Sequence, residues 1–140
     1  MSTLDTFPYP IPEFGTEPYW AAANVGELRV QRCLDCHRLR WEPAPLCLDC
    51  QSQKHEWALL SGRGHLTTWT EITHPVHPAA FAKVPYLVVE VELVEQAGLR
   101  MLSNLIDTTA AQVEIGAAVS VTFVAHPNGQ QLPVFRLDAP

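Results

Sequence analysis

Cys33, Cys36, Cys47 and Cys50 are the four cysteines of this 140-residue chain, spaced as Cys-x2-Cys, ten residues, Cys-x2-Cys. A two-residue gap lets a tight turn aim both sulfurs and nearby backbone N–H groups at one point. Two such turns facing each other complete a tetrahedron of thiolates, which is how a structural Zn2+ is held. The spacing predicts a zinc ribbon, with zinc or iron open as the occupant. Two disulfides would use the same residues in an exported protein. The start, Met-Ser-Thr-Leu-Asp-Thr-Phe-Pro, has neither the basic end nor the apolar run of a signal peptide. A thioredoxin-like redox pair needs one such motif, set in an α/β pattern that this chain lacks. Four sulfurs close the shell to a reacting water, so the metal is expected to fold the protein rather than do chemistry. His37, beside Cys36, is an alternative ligand that a complete set of four sulfurs does not need.

Other residues offer weaker chemistry. His74-Pro75-Val76-His77-Pro78 contains two histidines, but its prolines favour an extended course that keeps them off one helical face. The segment reads as a rigid loop, and Pro75 to Pro85 as a partner-facing loop with Phe81 as its anchor. Arg63, Lys83, Arg100 and Arg136 are candidates for meeting ligand phosphates, though four scattered cations are ordinary on a surface. Trp41, Trp57 and Trp69 are expected to fill the core and the ribbon–barrel junction; stacking on adenine or a nucleobase is the sharper alternative. Glu90 and Glu92 lie on the solvent face of a strand. No cysteine stands outside the metal set, no Gly-x-Ser-x-Gly elbow exists, and Gly62-Arg63-Gly64 is too short to cradle a phosphate. No catalytic residue is assigned.

The elements that position these groups follow from periodicity. Pro8, Pro10 and Pro12 make an extended apolar arm ending at Gly15. Thr16 is expected to N-cap a short helix that ends at Gly26. Glu27–Arg32, Arg38–Trp41 and Glu56–Leu60 read as ribbon strands. Beyond Ser61 the pattern alternates. Leu66, Thr68, Thr70 and Ile72 are expected on one face of a strand, and Leu87, Val89, Val91 and Leu93 on one face of the next. Leu99–Leu105 follows the turn at Gln96-Ala97-Gly98. Val119, Val121 and Phe123 face one way in a fourth strand, and Leu132–Leu137 follows the Pro127-Asn128-Gly129 turn. Asp107–Glu114 has room for one or two helical turns. The expected fold is mainly β: a short N-terminal helix, a zinc ribbon and a five-stranded OB-type barrel. The expected divisions are an arm and helix over residues 1–26, the ribbon over 27–60 and the OB-fold over 61–140.

Composition narrows the partners. The chain is 47% hydrophobic with a formal charge of −6, and four thiolates on Zn2+ would bring that to about −8. Lysine and arginine form no cluster, which opposes a general nucleic-acid binder. No apolar stretch approaches the roughly 20 residues that span a bilayer. A cytoplasmic protein in a reducing compartment is expected.

The order of short stretches resembles a known family. Tyr19-Trp20, Gly26-Glu27-Leu28, Gln31-Arg32-Cys33 and Pro43 to Cys50 carry the likeness through the ribbon. Ser61-Gly62-Arg63-Gly64, His74-Pro75, Phe81-Ala82, Val84-Pro85-Tyr86, Val91-Glu92-Leu93, Asn104-Leu105, Ile115-Gly116 and Leu132-Pro133 continue it. The chain is similar to bacterial and archaeal acyl-CoA-associated proteins that join an N-terminal helix, a rubredoxin-like zinc ribbon and a C-terminal OB-fold. That family often has glycine after each cysteine pair, where this chain has His37 and Gln51. The resemblance implies a non-catalytic subunit of a thiolase-fold or other acyl-CoA enzyme, with a CoA thioester at the shared interface. A single-stranded nucleic-acid module and a stand-alone acyl-CoA-binding or hydrolysing protein are the alternatives.

Overall fold

The computed structural model describes residues 7–140; the N-terminal residues read above as lacking a leader, and the start of the expected arm, lie outside the described residues. One helix and eight strands follow in order: α1 (Glu17–Asn24), β1 (Arg29–Cys33), β2 (Leu39–Arg40), β3 (His55–Leu59), β4 (Arg63–Ile72), β5 (Tyr86–Leu93), β6 (Arg100–Leu105), β7 (Ala118–Ala125) and β8 (Gln131–Leu137). The first three strands form an antiparallel sheet, β2-β1-β3, and the other five close a barrel in the order β4-β5-β6-β8-β7. The fold is mainly β, with a short helix, a ribbon and an OB barrel, as the alternation predicts.

Three alanines, Ala21 to Ala23, favour helix in α1, and Gly26 ends it with φ +76°. Thr16 occupies the N-cap position without capping. Its hydroxyl turns back to Glu13, donating to the carbonyl at 3.0 Å and accepting from the N–H at 2.9 Å. Pro18 lacks an N–H, so the first turn has one donor fewer to satisfy.

The core runs without a break from ribbon to barrel. Leu28, Val30, Leu39, Ala58 and Leu60 join Leu66, the inward face of β5, Val119 and Phe135 in one buried cluster. Leu87, Val89, Val91 and Leu93 are all buried, so β5 alternates as expected. Strand β4 does not. Leu66 is opposite Val91 and Trp69 opposite Val89, so β4 carries one extra residue between Leu66 and Thr68. A bulge flips every later side chain to the other face. Trp69 therefore packs on the core, while Thr68 and Thr70 are exposed. The expected Leu66-Thr68-Thr70-Ile72 face is corrected accordingly. Thr67, at the bulge, donates its hydroxyl to the Glu90 carboxylate at 2.6 Å.

Between β6 and β7 the chain forms a single 3-10 turn, Ala110–Gln112, within the segment expected to hold one or two helical turns. The Gly116 N–H donates to the Leu66 carbonyl at 2.7 Å and the Leu66 N–H to the Ala117 carbonyl at 3.0 Å. Those bonds fix the end of the segment on β4.

Candidate metal centre and the β4–β5 loop

Each cysteine pair closes one knuckle, and the two knuckles are built alike. The His37 N–H donates to the Cys33 carbonyl at 3.0 Å, and the Gln51 N–H to the Cys47 carbonyl at 2.9 Å. The Cys33 N–H reaches Arg38 O and the Cys47 N–H reaches Ser52 O, both at 2.9 Å. His37 and Gln51 have φ of +64° and +63°. They adopt the left-handed conformation that glycine would take at these positions. A non-glycine residue pays roughly 1–2 kcal/mol there. His37→Gly is accordingly expected to raise stability by about 1 kcal/mol with the metal content unchanged. Zinc analysis beside urea unfolding checks this; a variant that loses its metal would make His37 a ligand.

The four sulfurs lie within 4.8 Å of one another, with Cys33 to Cys50 and Cys36 to Cys47 each at 3.5 Å. Zn–S bonds of about 2.3 Å in a tetrahedron place sulfurs roughly 3.8 Å apart, so the cluster has the right size. All four thiols are free of disulfides. Cys33 and Cys47 are buried, whereas Cys36 and Cys50 are exposed. The Cys36 N–H, chiefly, pulls the Cys33 thiol down to about 6. The N–H groups of Cys50 and Asp49 likewise lower Cys47. At Cys36 the Arg38 N–H pulls down, but desolvation and the neighbouring thiols outweigh it and push the group up to about 12. Cys50 also rises, because its bonds to Cys33 and Cys47 and desolvation overcome the Ser52 N–H. The backbone N–H groups of each knuckle thus favour a thiolate at its first cysteine. A dication would supply the charge that holds all four sulfurs as thiolates. The donor set fits Zn2+.

Among the described residues these cysteines are the one group of three or more His, Cys, Asp or Glu side chains placed to hold an ion. His77 is not part of such a group; its Nδ1 accepts from the Ala79 N–H at 3.2 Å and caps the 3-10 turn Pro78–Ala80. His74 is exposed. The β4–β5 loop also presents Val76, fully exposed, and Phe81, 60% exposed.

The candidate phosphate-binding cations are mostly engaged. Arg100 pairs with Glu92 at 3.1 Å and Glu90 at 3.4 Å, and Arg136 pairs with Asp107 at 2.7 Å. Arg100 also holds the Glu92 carboxyl below the usual range. Glu90 and Glu92 are therefore half-buried under Arg100 rather than solvated. The Lys83 ammonium sits 4.7 Å from the centre of the Phe7 ring. Arg63 has no carboxylate within ion-pair distance among the described residues. Trp41 lies against Tyr19 with ring centres 4.3 Å apart, and Trp41, Trp57 and Trp69 all pack on the core. Trp57 also walls an apolar groove of about 610 Å3 with Phe14, Pro18, Pro43 and Pro45.

Three residues with structural weight escape a reading of the sequence. Gln96 binds the Leu39 N–H at 2.9 Å and the Leu39 carbonyl at 2.8 Å, tying the barrel's first hairpin to β2. Gln31, buried in β1, accepts from Arg40 Nε and from the Ala44 N–H. His126, buried at the end of β7, has Nε2 3.0 Å from the Phe7 carbonyl and its ring 5.0 Å from that of Tyr9. The arm is thereby pinned across the barrel. The one sequence signal was a histidine directly before the Pro127-Asn128-Gly129 turn.

A rubredoxin-like zinc ribbon and an OB barrel sharing one core define the class of protein. The chain belongs to the ChsH2 (DUF35) family: residues 20–56 match the ChsH2 rubredoxin-like zinc ribbon domain and residues 57–124 the ChsH2 C-terminal OB-fold domain. It is 34% identical over 122 residues to the probable enoyl-CoA hydratase alpha subunit of Thermomonospora curvata, covering 87% of this chain but 37% of that protein. The chain thus spans little more than a third of that relative's length. It is 31% identical to a DUF35 domain-containing scaffold protein of Methanothermobacter thermautotrophicus, covering 66% of this chain and 68% of that one. A chain in the solved Ltp2–ChsH2(DUF35) aldolase superposes with a TM-score of 0.83 at 33% identity, covering 92% of this chain and 98% of that one. No described helix is long and apolar enough to cross a membrane.

Proposed function

We propose that this chain is a non-catalytic accessory subunit that binds and stabilises a thiolase-fold or related acyl-CoA enzyme. The partner makes or breaks a carbon–carbon bond on a CoA thioester, and that thioester lies at the shared interface in the cytoplasm. Cys33, Cys36, Cys47 and Cys50 ligate a structural Zn2+ that holds the ribbon against the barrel. The observation carrying this reading is the near-complete likeness, 98% of that chain, to the ChsH2(DUF35) component of an aldolase. The side chains support it. All four thiols are gathered at one point, and the carboxylates of β5 are committed to Arg100.

A nucleic-acid module would need a cationic groove, yet both Arg100 and Arg136 are neutralised by carboxylates. Affinity purification of the full chain from its native cells is expected to recover an acyl-CoA enzyme, without RNA or DNA. Thioester turnover should require that enzyme. Turnover by the isolated chain, or recovery of nucleic acid in place of an enzyme, would overturn the proposal.

A further inference from the structure

We propose that the partner is received on one preassembled patch, built from the proline-rich arm (residues 7–12) and the β4–β5 loop (residues 73–85). The surface it fits is apolar and edged with carboxylates. This inference rests on the accessory-subunit reading and gives that reading a location.

Three observations converge. First, the two segments are joined to each other and to the barrel. The Phe7 ring meets the His77 ring edge-on at 6.5 Å, lies under the Lys83 ammonium, and offers its carbonyl to His126. Tyr9 packs on the same histidine. The arm and loop thus present their side chains from one base. Second, the apolar groups on that base face solvent: Ile11 is 71% exposed, Val76 100% and Phe81 60%. Groups of this kind on a rigid support mark interaction sites. Six of the chain's 12 prolines, Pro8, Pro10, Pro12, Pro75, Pro78 and Pro85, lie in these two short segments. They restrict the backbone beforehand, which reduces the ordering cost of association. Third, the charge balance differs locally: Lys83 is the one formal charge within the two segments, which Glu13 and Glu71 flank. The chain carries 15 acidic side chains, yet neither segment contains an Asp or Glu, while Lys83, His74 and His77 all lie in the loop. A cation among exposed apolar groups is complemented by a partner with carboxylates around an apolar depression, an arrangement that also steers encounter.

The outward face of β6 is one rival surface, because Leu102 is 70% exposed there. Arg100 with Glu90 and Glu92 makes its neighbourhood a polar, internally paired network instead.

The test compares the tagged full-length chain with three variants in its native cells: Val76→Asp/Phe81→Asp, Lys83→Glu and the rival-face Leu102→Asp. Mass spectrometry quantifies the acyl-CoA enzyme recovered, and zinc content with circular dichroism confirms that each variant is folded. The double variant is expected to lower recovery at least about tenfold, Lys83→Glu to lower it by a smaller factor with weaker salt dependence, and Leu102→Asp to leave it unchanged. Full recovery with the double variant, or loss confined to Leu102→Asp, overturns the patch while leaving the accessory function standing. Failure of the unmodified chain to recover any acyl-CoA enzyme overturns that function and the patch with it.

Discussion

Replacing Cys33 with serine is expected to abolish zinc binding and unfold residues 27–60. A hydroxyl does not ionise at neutral pH to replace the thiolate that zinc requires, and Cys33 is the proposed ligand at the junction of β1 with the first knuckle. Structural zinc contributes on the order of 10–16 kcal/mol in small finger peptides, comparable with the roughly 5–15 kcal/mol that stabilises a typical domain. Two-stranded pairing of β1 with β2 involves just Gln31–Arg40 and Arg32–Leu39, which cannot substitute for the metal. The effect should spread beyond the ribbon, because Leu28, Val30 and Leu39 share their core with Leu66 and Phe135. Hydrogen exchange would show lost protection along β1 and β3, and metal analysis less than one zinc per chain. Chelator should reproduce this in the unsubstituted protein, as should acid, since protons compete with the cation for the sulfurs. A serine variant that keeps both its zinc and its protection would remove the structural role assigned to the site.

The second large effect is expected from Phe135→Ala. Phe135 is wholly buried and lies where the barrel closes, opposite Val121 on β7 and Leu105 on β6. Leu105–Phe135 is the single ladder pair between β6 and β8, so side-chain packing holds that seam where backbone pairing is sparse. Removing a buried phenyl ring costs about 3–5 kcal/mol, from lost burial and from the cavity left behind. Urea unfolding should show the midpoint falling with the slope preserved. A loss under about 1 kcal/mol would mean that the seam collapses around the cavity.

The barrel and the metal set were legible in the sequence because both depend on local spacing. A Cys-x2-Cys turn gathers its own sulfurs, and period-two alternation over Leu87, Val89, Val91 and Leu93 places those side chains inward whatever their neighbours do. The left-handed conformation of His37 and Gln51 was signalled only through the resemblance, which puts glycine where this chain has these two residues. The β4 bulge was not legible, because nothing in Leu66-Thr67-Thr68-Trp69 distinguishes a bulge from regular strand. Pairing with β5 decides it, by setting Trp69 opposite Val89.

Long-range hydrogen bonds were equally hidden. Gln96 joins Leu39 across 57 positions, and His126 joins Phe7 across 119. Polar side chains carry no periodic signal of their own partners; each finds one when the chain has folded around it. The sequence by itself therefore determined the ribbon's four thiols and the identity of the barrel, which rest on short-range geometry. Tertiary structure alone decided how the arm is pinned, which way β4 faces beyond its bulge and where ribbon meets barrel. Those features depend on which distant backbone groups become neighbours when one shared core closes.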